Sequence, residues 1–140
     1  MRFMIIVKAN AESEAGKLPS AEELTEMTKF NEQLMKAGVM LAGEGLLDSS
    51  KGARVHFSRG KAKVVDGPFT ETKELIAGFW LWNVKSKDEA IEWIKRAPFK
   101  DGDIEIRQVF ESDDFGANLT PETKAREKRI RAEIAKKNAR

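Results

Sequence analysis

Apolar residues fill every position from Phe3 to Val7, so a strand over residues 2–8 sets Phe3, Ile5 and Val7 on one side and Met4 and Ile6 on the other. Such a strand is buried on both faces. The period then changes from two to about 3.6. Ser20 and Glu23 stand at capping-box spacing, and Leu24, Met27, Phe30, Leu34 and Ala37 recur at helical intervals until Gly38, which predicts one amphipathic helix. Val39 to Leu47 reads as the next strand. Residues 53 to 66 read as a hairpin, with Val55 and Phe57 alternating against Arg54, His56 and Ser58, a turn near Gly60-Lys61, and Ala62 to Val65 returning.

A second double-faced strand follows at 76 to 84, with Ile76, Trp80, Trp82 and Val84 opposed to Ala77, Phe79 and Leu81. Ser86 and Glu89 repeat the capping-box spacing before a helix with Ala90, Ile91, Ile94 and Ala97 inward, stopped by Pro98. Ile104 to Phe110 is the last core strand, and Thr120-Pro121 opens a terminal helix with Thr at the cap and Pro at its first position. With the hairpin set aside, the order is βαββαβ, an α+β ferredoxin-like protomer with both helices on one face of the sheet. The helices cover one face, yet two strands are apolar on both. The simplest cover for the second face is another copy of the chain, so a homodimer is expected.

Composition narrows the class. The 140 residues are 41% hydrophobic and 34% charged, which suits one domain with a substantial core, residues 1–110, followed by a C-terminal extension with a basic helix, residues 111–140. The absence of Cys removes disulfide, thiol-nucleophile and zinc-thiolate chemistry. Met1 to Val7 is too short for a membrane span and lacks the extended regions of a signal peptide, so a cytoplasmic protein without a membrane partner is expected. The net charge of +2 conceals +5 in residues 121 to 140 against −3 in residues 1 to 120. Glu122/Arg126, Glu127/Arg131 and Glu133/Lys137 are spaced as in a self-supporting solvated helix. No aromatic residue interleaves the charges to stack on bases, so nucleic acid is not an expected partner.

Candidate chemistry is sparse. Alternation puts Glu44 on one face with Met40, Ala42 and Leu46, and a carboxylate in apolar company is either bonded to backbone or an acid or base at a pocket. If Ile104 and Ile106 pack under the helices, Glu105 and Arg107 point to the other face, as a structural pair or as groups that orient an anion. His56, the sole histidine, is expected in solvent on the hairpin. With no second His at ligand spacing, a zinc site is not expected, nor is any cofactor, while a carboxylate-rich divalent site stays open. Gly43-Glu44-Gly45 lacks the third glycine and the helix of a dinucleotide motif. Asp66-Gly67-Pro68-Phe69 must turn, and the Asp66 carboxylate is positioned to accept backbone N–H bonds there.

The run Asp66-Gly67-Pro68-Phe69 followed by Glu71-Thr72-Lys73-Glu74 and Gly78 resembles the signature of the DGPF branch of the YCII-related family. The resemblance extends to Met1-Arg2-Phe3-Met4, Asn31-Glu32, Ala37-Gly38-Val39, Leu41 to Leu46, and Glu105-Ile106-Arg107. It implies a dimeric α/β barrel of ferredoxin-like protomers. Some members of the superfamily carry a His-Asp pair with the His in the first helix, and by distance to the helix-ending glycine that His falls near Met27 here. Two functions are therefore carried forward. One is a small-ligand or catalytic pocket, with Glu44 and Asp66 as candidate catalytic groups and Asn31, Phe69, Lys73, Glu74 and Glu105 as candidate ligand contacts. The other is a non-catalytic interaction module, for which the resemblance implies a regulatory partner linked to an extracytoplasmic-function sigma factor.

Overall fold

The computed structural model describes residues 1–139, which divide into two compact units, residues 1–109 and 110–139. The first unit contains β1 (Arg2–Lys8), a one-turn helix α1 (Ala11–Glu14), α2 (Ala21–Lys36), β2 (Met40–Gly45), the hairpin β3 (Ala53–Ser58) and β4 (Lys61–Asp66), β5 (Ile76–Asn83), α3 (Lys87–Ile94) and β6 (Ile104–Gln108). Strands β2-β5-β1-β6 form one antiparallel sheet in that order, and β3-β4 form a separate two-stranded sheet. This is the ferredoxin-like α+β topology.

Local chemistry accounts for the element boundaries. The Ser20 hydroxyl accepts the Glu23 N–H at 3.1 Å and opens α2, while Gly38 at φ +72° lets the chain leave it. Ser86 caps α3 in the same way through Glu89 N–H, also at 3.1 Å. The hairpin turns through Arg59 and Gly60, both at positive φ, as a two-residue connection requires. Lys95 caps α3, so the helix ends three residues short of Pro98.

The core lies between the helices and one face of the sheet. Phe3 and Ile5 of β1, Trp80 and Trp82 of β5, Phe30 and Leu34 of α2 and Ala90 of α3 are buried together, with Ile104 and Ile106 packed at the edge. Phe30 meets Trp80 and Trp82 edge-on at 5.9 and 6.4 Å between ring centroids. Among the described residues, Trp82 Nε1 is the buried side-chain polar atom without a partner, which costs about 1–3 kcal/mol. Leu24, expected in the apolar stripe of α2, is exposed. The other face of the sheet carries Met4, Ile6, Ala77, Phe79 and Leu81, all half-buried, beside Glu105 and Arg107.

Alternation misplaces part of β2. The register with β5 shifts between Met40 and Ala42, so Met40 pairs with Trp82 on the helix-covered face while Ala42 pairs with Leu81 and Glu44 with Phe79 on the other. One extra residue reverses the face, and Glu44 does not share Met40's surroundings. It is exposed.

The second unit holds a short 3-10 segment, Ser112–Asn118, broken at Gly116, and the helix α4 (Pro121–Asn138). Phe110 and Phe115 stack at 4.7 Å. Thr120 caps α4 by accepting the Thr123 N–H at 3.3 Å. Among the described residues, no helix is long and apolar enough to cross a membrane.

Candidate functional site

A cleft of about 330 Å³ opens between α2, the β2-β5 edge and the segment after α3. Its walls are apolar, from Val7, Pro19, Met27, Phe79, Trp80 and Phe99, and three glycines, Gly43, Gly45 and Gly78, line it. Its polar lining residues are Asn31 and Glu44, and Glu44 is the sole ionisable one in the lining. That size and that mixture suit a small ligand, whose sites run to about 300–1,000 Å³.

Each wall has a local cause. Met27 and Asn31 are four residues apart on α2 and therefore project from one face. Trp80 is held between the edges of Phe30 and Phe99, the latter at 6.1 Å and 78°. Its indole Nε1–H donates to Asn31 Oδ1 at 2.9 Å, which fixes the amide's orientation and leaves its NH2 without a protein partner among the described residues. Gly43 makes that packing possible. A Cβ there would stand 2.6 Å from Trp80 Cδ1 and 2.8 Å from Met40 Cε.

The remaining candidates lie elsewhere. Asp66 ends β4, exposed, and among the described residues its carboxylate receives none of the bonds expected from the turn. Ser49 and Gly52 hold the turn instead. Gly67 N–H donates to the Gly52 carbonyl at 3.0 Å, and Phe69 N–H donates to Ser49 Oγ at 3.0 Å. Ser49 in turn donates through its N–H and hydroxyl to the Glu14 carboxylate, at 3.1 and 2.5 Å. Arg54 lies over the Phe69 ring at 3.8 Å, so Phe69 packs at the base of the hairpin and not in the cleft. A Cβ at Gly67 would overlap the Ser49 carbonyl oxygen, which is why this position admits no side chain. Beside the latch, Asp48 accepts from the hydroxyl and the N–H of Ser50, and these bonds hold its carboxyl below the usual carboxylate range.

Lys73 and Glu74 sit exposed on the 3-10 turn Thr72–Glu74 that precedes β5. Glu105 faces away from the helices and bridges Arg107 at 3.2 Å and Lys8 at 3.5 Å. The Arg107 hydrogen bond, followed by the Lys8 charge, lowers its pKa. Thus Asn31 and Glu44 both line the cleft, whereas Asp66, Phe69, Lys73, Glu74 and Glu105 do not. The sequence reading missed Trp80, Phe99 and Gly43 as site residues. Asn31, polar and next to Phe30 in the apolar stripe, was the one visible signal.

The fold and cleft define a small ferredoxin-like α+β protein with a ligand-sized concavity in its first unit. Residues 1–113 match the YCII-related domain, and the chain belongs to that family. Over 89 residues, 61% of this chain and 72% of the relative, it is 30% identical to an uncharacterised protein of Rhizobium meliloti (strain 1021). Among solved structures it is similar to 5-chloro-2-hydroxyhydroquinone dehydrochlorinase of Burkholderia phenoliruptrix AC1100 in complex with 2,5-dihydroxybenzoquinone. That similarity has a TM-score of 0.47 and 17% identity over 81% of this chain and 98% of the other, too distant to carry chemistry across.

Proposed function

We propose that this chain, in the DGPF branch of its family, binds a small and mostly apolar molecule in the Asn31 cleft, with a carbonyl or similar acceptor set against the Asn31 NH2. The observation that carries this reading is the Trp80–Asn31 bond, which orients an otherwise unpartnered donor at an apolar wall. An unsatisfied, pre-aimed amide gains more from a ligand acceptor than a freely rotating one, because its ordering is already complete. Met27 stands where the family resemblance places an imidazole, and a thioether cannot transfer protons. Any acid–base step in the cleft therefore falls to Glu44, its only ionisable lining group. The half-buried apolar residues on the open sheet face, Met4, Ile6, Phe79 and Leu81, support a homodimer packed sheet against sheet.

One observation favours a second reading, a non-catalytic interaction module with a sigma-factor-linked partner. Asp66 and Glu105 are dispersed from Glu44, so the proposed carboxylate set is not concentrated at one cavity. Native mass spectrometry of the purified chain separates the two. The ligand reading expects a co-purifying small molecule that Asn31→Ala loses while the fold persists. A ligand-free wild type, with no small molecule retained under any purification condition, favours the interaction module.

A further inference from the structure

The three glycines of the cleft do not have the same cause. A Cβ at Gly43 would stand 2.6 Å from Trp80 Cδ1, and one at Gly78 would press on the Glu44 carbonyl oxygen at 3.0 Å, so packing within the sheet accounts for both. Gly45 has no such neighbour. A Cβ there meets nothing within 4 Å, and its backbone lies outside the positive-φ region that favours glycine. Stability alone favours a side chain at this position, because glycine weakens a strand and gives it nothing to pack. Gly45 nevertheless stands in the cleft lining, on the same face of β2 as Gly43 and directly paired with Gly78 of β5. The two opposed positions, about 5 Å apart, are bare backbone in the floor of the cleft.

We propose that Gly45 determines the specificity of the cleft, keeping its floor free of a side chain so that a flat, uncharged ring can lie face-on against the paired backbone of β2 and β5. This rests on the Asn31 ligand reading and narrows it to one chemical class. Without side chains the sheet presents its peptide planes, which a planar ring touches over its whole face and a puckered ring at few atoms. Dispersion contacts are small singly and add with their number. The cleft of about 330 Å³ has room for one ring and its substituents, since about 150 Å³ holds benzene. The ring carries its carbonyl to the Asn31 NH2 in the same cleft. It is uncharged because the described lining holds no Lys, Arg or His to pair an anion, and an unpaired charge is costly against apolar walls.

The test is calorimetric titration of the full chain with benzamide, cyclohexanecarboxamide and benzoate. The two amides carry one acceptor on a flat and on a puckered ring, and benzoate keeps the flat ring but adds a charge. The wild type should bind benzamide most tightly, and Gly45→Val should weaken that binding about tenfold or more while its melting temperature and sedimentation stay those of the wild type. Should Gly45→Val fail to fold, Gly45→Ala should weaken benzamide in the same direction. Benzamide binding that Asn31→Ala loses and both Gly45 variants keep overturns the role of Gly45 and leaves the Asn31 reading standing. Equal or tighter binding of the puckered amide or of benzoate overturns the ligand class. A Gly45→Ala chain that melts well below wild type gives the glycine a structural cause, and a wild-type dimer that Gly45→Val dissociates gives it to a contact between copies; either overturns the proposal. A wild type that binds none of the three overturns both the proposal and the reading beneath it.

Discussion

The turn at Asp66–Phe69 and the cleft beside Asn31 differ in how loudly they announce themselves, and the difference separates scaffold from site. The turn concentrates Asp, Gly and Pro in four residues, but its neighbours are backbone carbonyls and the Ser49 hydroxyl, and it holds the base of a hairpin. The cleft is built from Met, Trp, Phe and Gly, residue types common in any core, with one oriented amide. Distinctive local sequence here reflects a demanding backbone path, whereas the candidate binding surface arises from residues brought together over long separations.

The comparison breaks most forcefully at Gly67. Gly67→Ala forces a Cβ into the Ser49 carbonyl, so urea unfolding should show a loss of more than about 3 kcal/mol, at the upper end of single substitutions. A loss below about 1 kcal/mol would show that the latch yields cheaply. Gly43→Ala should cost about 1–3 kcal/mol by overpacking Trp80 and Met40. It should also disturb Trp80 fluorescence and weaken ligand binding, which Gly67→Ala, if it folds, should not.

Within the latch, Ser49→Ala orphans Phe69 N–H and the Glu14 carboxylate and should destabilise by about 1–3 kcal/mol. Asp66→Ala should stay within about 0.5 kcal/mol, since its carboxylate makes no hydrogen bond among the described residues. The reverse order would return the turn's support to Asp66. The smallest effect belongs to Glu105. Its folded pKa is lowered by Arg107 and Lys8, so its stabilisation is present above the ordinary carboxylate pKa and lost as pH falls through the lowered value. Glu105→Gln should therefore be slightly less stable than wild type at neutral pH, with melting curves that converge in acid. A gap that widens in acid would contradict the ion-pair geometry.

The sheet, both long helices, the hairpin and the terminal helix were legible because capping residues and period changes mark them locally. Glu44's face was not, since the register shift at Met40–Ala42 leaves no trace in an alternating pattern. Asp66 looked like the turn's acceptor because side chains of its type cap turns. Ser49, twenty residues away from Phe69 in sequence, took the role through a long-range contact that spacing cannot reveal. Asn31 was visible, but its orienting partner Trp80, 49 positions away, was read only as core.

The central claim is that the Trp80-oriented amide of Asn31 receives a ligand acceptor. Two-dimensional proton–nitrogen NMR tests it with a panel of one-ring carbonyl probes, aromatic ketones and benzamides. Saturable, concerted shifts of the Asn31 side-chain NH2 and the Trp80 indole N–H are expected, with affinity about tenfold weaker in Asn31→Ala, the worth of one hydrogen bond. Probes that leave both signals unmoved, or bind Asn31→Ala equally well, would contradict it.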